Sequence, residues 1–155
     1  MVCYTKKNHV AFEIDDEDYD IVLQHTWHCD YGYIRTHSIR NGQLHRMIMN
    51  TPDGMKTDHI DGNPLNNHKS NLRICTNQQN SMNRKCKKGC SSKYKGVYWK
   101  KRKSRWCAQL NINGIPKYLG SYTNQDDAAR AYNNAAIKYH GEFARLNIID
   151  ETKDA

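Results

Sequence analysis

The first fifty residues contain short stretches in which hydrophobic and polar positions alternate, the pattern of strands with one buried face. Two of these stretches cover residues 10–14 and 31–35. Asn41-Gly42 is typical of the tight turn in a two-residue β-hairpin. Residues 44–49 are apolar at alternate and at adjacent positions and fit a strand or a helix. The pattern therefore predicts a β-rich N-terminal region.

Residues 51–83 are rich in Asp, Asn, Gly and His, which favour turns and polar sites over long regular elements. Two short apolar segments interrupt this stretch and predict strands at 55–60 and 72–75. After the second segment, Thr76 and Gln79 have the spacing of a capping box, which predicts a short helix ending at about Arg84. The predicted order is strand, polar loop, strand and helix.

The chain changes character after residue 93. Three segments predict strands: residues 96–100, 106–112 and 117–122. Asn113-Gly114 supplies a tight turn between the last two. A helix follows, with Thr123 or Asn124 as its N-cap and Gly141 at its C-terminal end. Alanine recurs on one face of this helix, which allows the helix to lie close to a sheet.

Charge is distributed unevenly along the chain. Residues 84–120 contain twelve Lys and Arg side chains and no Asp or Glu, whereas the whole chain has 24 basic and 16 acidic residues. A solvated surface usually mixes both signs, so a basic segment of this length favours a polyanionic partner through counterion release. Within this segment, residues 85–93 combine basic residues with Gly and Ser and predict a linker. Nucleic acid is therefore the expected partner.

Composition argues against several classes of protein. The mean hydropathy is −0.96, and no apolar run approaches the roughly 20 residues of a membrane span. The N-terminus lacks the apolar stretch of a signal peptide, so a cytoplasmic protein without a membrane partner is expected. Six cysteines in that compartment predict thiols rather than disulfides. Cys86 and Cys90 form a loose pair, for which a structural zinc site is the less favoured alternative.

The polar segment carries residues suited to phosphodiester hydrolysis, which needs a base for the attacking water and a metal ion at the phosphate. A neutral histidine such as His59 is a suitable base near pH 7. The Asp58 carboxylate and a side-chain amide are hard oxygen donors, which favour Mg²⁺ or Mn²⁺ over Zn²⁺. Strand neighbours point to opposite faces, so Asp58 and His59 share one site only if the strand ends or bends there, as Gly62 suggests. Taken alone, the pair also fits a plain polar loop.

Five motifs extend this pattern: Leu44-His45-Arg46, Asp58-His59-Ile60-Asp61-Gly62-Asn63, Asn66-Asn67, Asn71-Leu72-Arg73 and Asn80. In type, order and spacing they resemble the phage HNH homing endonucleases, over about residues 44–84. The resemblance implies a metal finger in which His59 is the general base and Asp58 and Asn80 are the metal ligands. It also implies that Asn71 ties the loop and helps to orient His59. Arg84 is expected one helical turn beyond Asn80, as a phosphate contact or a solvated cation, and His45-Arg46 is expected to serve packing.

The last third of the chain carries a second set of motifs: Tyr94-Lys95-Gly96-Val97-Tyr98, Arg105-Trp106-Cys107-Ala108, Tyr118-Leu119-Gly120-Ser121-Tyr122, Ala128-Ala129-Arg130-Ala131-Tyr132 and Leu146-Asn147. They resemble the Apetala/ethylene-response-factor type of plant DNA-binding domain, which lays a three-stranded sheet in the major groove. The residues expected to contact DNA are Lys95, Tyr98, Lys100, Arg102, Arg105, Trp106, Gln109, Asn111 and Tyr118. Trp106 fits a core position equally well. Plant domains usually carry Arg at the positions of Tyr98 and Asn111 and an acid at Gln109, so the plant target sequence is not expected here.

These features predict an α+β protein, with a ββα-metal (His-Me finger) HNH nuclease module followed by a three-stranded antiparallel sheet packed on one helix. The predicted domains are 1–84 with a nuclease core at about 44–84, a basic linker at 85–93, a DNA-binding domain at 94–147 and a tail at 148–155. The predicted function is site-specific cleavage of double-stranded DNA by a homing-type endonuclease, with one Mg²⁺ or Mn²⁺ per active site. A phage protein that acts in the bacterial cytoplasm is expected, as a monomer or as a dimer on DNA. The alternatives are a non-catalytic DNA-binding regulator and a non-specific or restriction-type HNH nuclease.

Overall fold

The computed structural model describes residues 1–86 and 89–150. It shows an α+β protein with small antiparallel sheets, and backbone contacts divide it into two units, Met1–Asn80 and Ser81–Ala155. Residues 87 and 88 of the predicted linker lie outside the described residues, as do residues 151–155 of the predicted tail. In the described part of the chain, no helix is both long and apolar enough to cross a membrane.

Three two-stranded antiparallel sheets form the frame of the first unit. Their strands are β1 (Val2–Tyr4), β2 (Ala11–Glu13), β3 (His28–Asp30), β4 (Tyr33–Arg35), β5 (Lys56–His59) and β6 (Leu72–Cys75). β1 pairs with β2, β3 with β4, and β5 with β6. The helices are α1 (Tyr19–Leu23), α2 (Leu44–Ile48) and α3 (Asn77–Met82), the last of which contains the boundary between the units. The predicted order of strand, polar loop, strand and helix is therefore present.

The core of the first unit gathers side chains from its strands and helices. Its buried members are Cys3, Phe12, Ile14, Trp27, Ile34, Leu44, Ile48 and Leu72. Residues 44–48 form a helix rather than a strand because a separation of four places Leu44 and Ile48 on the same helical face, toward this core. Arg46, on the same helix, donates to the carbonyl oxygens of Met55 and Thr51 at 2.7 and 3.3 Å. These bonds fix the loop that leads into β5, which supports the packing role expected for His45-Arg46.

The two-residue hairpin turn of the first unit lies at a different place from the predicted one. Asn41-Gly42 stands in the connection from β4 to α2, where the N–H of Thr36 donates to the carbonyl of Gly42 at 2.7 Å. A Cβ on Gly42 would lie only 2.5 Å from the carbonyl oxygen of Thr36, so this close approach requires glycine. The tight hairpin is instead at Tyr31-Gly32, between β3 and β4, because Asp30 pairs directly with Tyr33.

The second unit is a three-stranded antiparallel sheet covered by one long helix. The elements are β7 (Val97–Lys100), β8 (Arg105–Ile112), β9 (Ile115–Tyr122) and α4 (Gln125–His140), and the strands lie in the order β7-β8-β9. Asn113 and Gly114 both have positive φ, 52° and 82°, which confirms the predicted tight turn. The N-cap of α4 is Asn124, whose side chain accepts the N–H of Asp126 at 2.8 Å.

Small residues let α4 lie close to this sheet. Ala128, Ala129 and Ala136 are fully buried in the two clusters between helix and strands. Tyr132 from the same helix packs so tightly over Gly96 that a Cβ there would lie 2.1 Å from its ring. The predicted alanine face of the helix is therefore the face that contacts the sheet.

Ser104 offers a test of the hairpin between β7 and β8. It has left-handed backbone angles (φ 47°, ψ 48°), which cost a residue with a side chain more than they cost glycine. We expect Ser104→Gly to raise the free energy of unfolding by about 0.5–1 kcal/mol, measured by chemical denaturation. Ser121→Gly in β9 is the control and is expected to lower stability, because glycine weakens a strand. Equal losses in both variants would contradict the prediction.

Candidate active site and DNA-binding surface

β5 and β6 place the predicted catalytic residues at the end of a strand. Asp58 pairs with Arg73 and His59 with Leu72, and the Asp58 and His59 side chains are both buried. The strand ends at His59, where the N–H of Gly62 donates to the carbonyl of His59 at 2.9 Å. Gly62 has a φ of 72°, a turn conformation that favours glycine. The bend that the sequence required for Asp58 and His59 to share one site is present directly after them.

Arg73 is the charged partner of Asp58. Its Nε and Nη2 atoms donate to Oδ2 of Asp58 at 3.0 and 2.8 Å. The two residues face each other across the β5–β6 pair, and Arg73 is itself largely buried. The guanidinium therefore holds the carboxylate in one orientation and balances its charge. Arg73 stands in the motif Asn71-Leu72-Arg73, but the sequence alone predicts no role for it.

Asn67 is the hydrogen-bond partner that holds the His59 ring. It is fully buried, and its Oδ1 lies 3.2 Å from Nε2 of His59. Its Nδ2 donates to the carbonyl of Leu65 at 3.2 Å. Because a carbonyl only accepts, the amide nitrogen must face Leu65 and the amide oxygen must face His59. Nε2 of His59 therefore carries a proton, and Nδ1 carries the lone pair of the neutral ring.

Burial keeps His59 neutral. Removal from water lowers the pKa of the ring, and this effect outweighs the hydrogen bond to Asn67 and the nearby carboxylates of Asp61 and Asp58, which act in the opposite direction. At neutral pH the ring is therefore in the form that can accept a proton.

A second imidazole packs against His59. The ring of His45 lies 4.9 Å from the His59 ring, centre to centre, in an edge-on arrangement. Tyr33 on β4 lies 5.5 Å from His45 and 6.1 Å from His59. Burial lowers the pKa of His45 to about 3, so this neighbour adds no positive charge to the site. The three rings form one wall of the site.

Asn71 ties the loop that follows β5. Its Oδ1 accepts the N–H of Asp61 at 3.0 Å, and its Nδ2 donates to Oδ1 of Asp61 and to the carbonyl of Asn66, at 3.0 and 2.9 Å. Its carbonyl accepts the N–H of Ile60, the residue after His59. Asn71 therefore bonds to the loop, as the resemblance implies. A side-chain bond to the His59 ring comes from Asn67.

Asp15 anchors the segment that enters β6. Its carboxylate accepts hydrogen bonds from the His68 ring at 2.8 Å and from the backbone N–H of Lys69 at 2.7 Å. These bonds, that from Lys69 most strongly and that from His68 next, hold the pKa of Asp15 below its usual value. A lowered pKa gives stability that is complete above the unfolded value of about 3.9 and is lost as pH falls through the folded value. We expect Asp15→Asn to flatten the loss of unfolding free energy below about pH 5. Urea denaturation at several acidic pH values tests this, and parallel curves for the two proteins would contradict it.

α3 carries the second predicted metal ligand, Asn80. Thr76 and Gln79 form the predicted capping box, with reciprocal bonds of 3.1 and 2.8 Å. The N–H of Asn80 donates to the carbonyl of Thr76 at 2.9 Å, in the first turn of α3. The helix ends at Met82, two residues earlier than predicted, so the helical-face argument for Arg84 is wrong because Arg84 lies beyond the helix.

The donor set limits the kinds of metal ion that fit. Among residues 1–86 and 89–150, no group of three or more His, Cys, Asp or Glu side chains is placed to hold a metal ion. None of the six cysteines, all of which lie in the described part of the chain, forms a disulfide. One carboxylate and one amide, as in Asp58 and Asn80, suit a hard cation that keeps several waters and binds phosphate oxygens. They do not suit a closed zinc site.

One face of the β7-β8-β9 sheet is turned away from α4. Tyr98 pairs with Cys107, Lys100 with Arg105, and Gln109 with Tyr118. Side chains alternate along each strand, so this outer face carries Tyr98, Lys100, Arg105, Gln109, Asn111 and Tyr118, with Cys107 buried beside Tyr98. All six were predicted to contact DNA. Together they provide cations, amides and aromatic rings on one surface.

Three other predicted DNA contacts have different surroundings. Trp106 lies on the face toward α4, where its ring packs 5.0 Å from that of Trp99. Lys95 donates its ammonium group to the carbonyl of Met82. Arg102 is exposed in a turn of 3₁₀ helix, Lys101–Lys103, at the tip between β7 and β8.

A buried, neutral histidine beside a carboxylate, in a chain that also has a basic sheet surface, is the pattern expected of a nuclease that acts on DNA. Residues 50–82 match the family model described as HNH endonuclease. An uncharacterized HNH endonuclease of Acanthamoeba polyphaga mimivirus is 37% identical over 141 residues, which cover 86% of this chain and 73% of the relative. Protein 3.8 of Escherichia phage T7 is 36% identical over 95 residues, 61% of this chain and 78% of that protein. The chain belongs to the HNH endonuclease family.

The C-terminal region has relatives of a second kind. APETALA2-like protein 2 of Oryza sativa subsp. indica is 42% identical over 57 residues, which cover 37% of this chain and 13% of the plant protein. The match is thus to a small part of a much longer protein. It agrees with the resemblance of residues 94–147 to plant DNA-binding domains, and DNA is the partner to which both sets of relatives point.

Proposed function

We propose that this protein is a site-specific, metal-dependent endonuclease of the homing type that cuts double-stranded DNA. A nuclease domain at 1–84 would cut, and a DNA-binding domain at 94–147, joined by the basic linker 85–93, would hold the chain at its site. The observation that carries the proposal is the buried, neutral His59 at the end of β5, bonded to Asn67 and next to Asp58.

His59 is the proposed general base, and its Nδ1 is the proposed proton acceptor. The Asn67 bond keeps the proton on Nε2, so the lone pair of Nδ1 takes the proton of the attacking water. The ring wall of His45 and Tyr33 limits the orientations that the imidazole can adopt. Asn71 contributes by holding the loop that begins at Ile60.

Asp58 and Asn80 are the proposed ligands of one Mg²⁺ or Mn²⁺ in a ββα-metal arrangement of β5, β6 and α3. When bound, such an ion supplies charge stabilisation at the scissile phosphate and the leaving oxygen. Arg73 fixes the carboxylate of Asp58 through Oδ2 and so sets the direction in which that ligand points. Arg84 stays a proposed phosphate contact that does not depend on helical spacing.

The outer face of the β7-β8-β9 sheet is the proposed recognition surface. Lys100 and Arg105 would contact phosphates, Gln109 and Asn111 base edges, and Tyr98 and Tyr118 bases or sugars. Arg102 would add a phosphate contact at the hairpin tip, Lys95 one at the start of β7, and Trp106 would act through the core beneath this face. The positions where plant domains usually carry Arg or an acid differ here, so the target sequence is the protein's own.

The proposal is tested by incubating supercoiled plasmids that carry a phage or bacterial genomic library with the protein in Mg²⁺, in Mn²⁺ and in chelator. Discrete nicks or breaks that need metal are expected. Tight binding without cutting under any metal would support a DNA-binding regulator, and cutting of arbitrary DNA at matched salt would support a non-specific or restriction-type nuclease.

Removal of Asn67 is expected to slow cleavage through His59. In Asn67→Ala the ring loses the partner that fixes its tautomer, and the rate is expected to fall by at least about tenfold, toward the loss of about 10⁴ known for a wrong histidine tautomer. Imidazole ¹⁵N chemical shifts, assigned with His59→Gln, should show Nε2 protonated in the wild type and a mixture of tautomers in the variant. Asn66→Ala is the matched control, because it disturbs the same loop but leaves the Asn67 bond. Unchanged ¹⁵N shifts in Asn67→Ala would contradict the assignment.

A further inference from the structure

The tip of the β3–β4 hairpin carries a tyrosine that packing does not explain. Tyr31 is 97% exposed, so its ring contributes almost nothing to a core. Its φ is 52°, and it occupies the first position of a two-residue turn completed by Gly32 with a φ of 85°. Asparagine and glycine are favoured at that position, and a bulky side chain at positive φ is an outlier.

Other turns of the chain have asparagine where the backbone takes a positive φ. Among the described non-glycine residues with positive φ, three are asparagine: Asn41, Asn50 and Asn113. Asn113-Gly114, between β8 and β9, is the same kind of turn with its preferred residue in place. At Tyr31 the sequence has an aromatic ring where an amide would satisfy the backbone better. Strain of this kind is found where a side chain serves a function.

The hairpin that carries Tyr31 is attached to the candidate active site. Two residues after Tyr31, the ring of Tyr33 lies 6.1 Å from that of His59. At Gly32, a Cβ would lie 3.7 Å from the side chain of Pro64, in the loop between His59 and Asn67. The tip is therefore held next to the loop that follows β5. DNA whose phosphate reached His59 would lie on the same side of the unit as this tip.

We propose that Tyr31 inserts against a locally unstacked base of the DNA substrate beside the phosphate that His59 attacks. In an intact duplex the faces of the bases are covered by their neighbours, so this contact requires partial unstacking of one base step. A ring that reaches the face of an opened base stacks on it whatever the sequence and adds affinity at the cut site. The proposal rests on the proposed function, because it needs DNA to occupy the His59 site.

Photochemical crosslinking tests the contact without requiring cleavage. The probe is a duplex in which every thymine is replaced by 5-iodouracil, bound to the full chain carrying His59→Ala and irradiated, and crosslinked residues are identified by mass spectrometry. A crosslink at Tyr31 is expected, and it should disappear in Tyr31→Asn. Crosslinks at Tyr98 or Tyr118 show that the duplex is bound, so their presence without any Tyr31 crosslink would overturn the proposal.

In Tyr31→Asn, the stability of the protein should stay the same or rise, whereas the efficiency of cleavage should fall. Tyr31→Asn relieves the strained turn, so a melting temperature equal to or above that of the wild type is expected. Cleavage efficiency of the same variant, in the background that retains His59, should fall about 5- to 100-fold. The control is Tyr4→Asn, which removes an exposed tyrosine from β1 and should change cleavage less than twofold. A lower melting temperature with unchanged cleavage would show a purely structural tyrosine. If the wild type cuts no DNA, the proposed function fails, while the crosslinking result still decides whether Tyr31 meets DNA.

Discussion

Replacement of His59 by alanine is expected to lower the single-turnover rate of DNA cleavage by about 10²- to 10⁴-fold, the usual contribution of general-base catalysis. The buried ring is neutral, its Nε2 is bound to Asn67, and Nδ1 is the proposed proton acceptor. Without it, the attacking water loses the proposed acceptor of its proton. DNA affinity is expected to stay within about twofold, since binding is assigned to the basic sheet surface rather than to this ring.

The measurement is cleavage under saturating protein, with affinity measured separately by gel shift in chelator. His59→Gln is a second variant that keeps more of the buried volume, and it should be equally slow. His9→Asn is the control: this exposed histidine has a φ of 47°, which asparagine tolerates, so wild-type rates are expected. A His59→Ala protein that binds normally and still cuts at the wild-type rate would refute the assignment of the base.

Short-range sequence patterns predicted the turns, caps and helix faces of this protein correctly wherever the long-range packing of the chain allows the same structure. Asn113-Gly114, the Thr76–Gln79 capping box and the alanine face of α4 are each a short-range pattern, and each is present as predicted. Asn41-Gly42 has an equally good turn pattern but does not join two paired strands. There the carbonyl of Gly42 accepts a hydrogen bond from the N–H of Thr36 instead. This contact depends on the path of the connection from β4 to α2.

In the candidate site, too, some residues could be predicted from the local sequence, whereas others depend on contacts between distant parts of the chain. Asp58 and His59 are neighbours in sequence, and the end of β5 after them follows from Gly62 and the polar loop. Arg73 and Asn67 received no role from the sequence, because their contacts depend on the pairing register of β5 with β6 and on the path of the loop between them. An isolated Arg or Asn in a motif does not reveal which of several carboxylates or rings it will meet.

The second large effect is expected from the basic hairpin between β7 and β8. The triple variant Lys100→Gln, Arg102→Gln and Arg105→Gln removes three exposed cations that lie on or beside the outer face of the sheet. Each phosphate contact contributes about 0.9 to the slope of log affinity against log salt concentration. The slope should therefore become shallower by up to about 2.7, and affinity at 0.1 M salt should fall by up to about 500-fold.

Charge-matched and kinetic comparisons separate this contact from a general loss of positive charge. The variant Lys6→Gln, Lys7→Gln and Lys138→Gln removes the same net charge from other exposed positions and should change the slope little. In cleavage assays the hairpin variant should raise KM and leave kcat near the wild-type value, because it weakens binding equally before and during the chemical step. A fall in kcat of the size expected for His59→Ala would instead mean that the hairpin takes part in the chemistry, and it would break the proposed division between a unit that cuts and a unit that holds DNA.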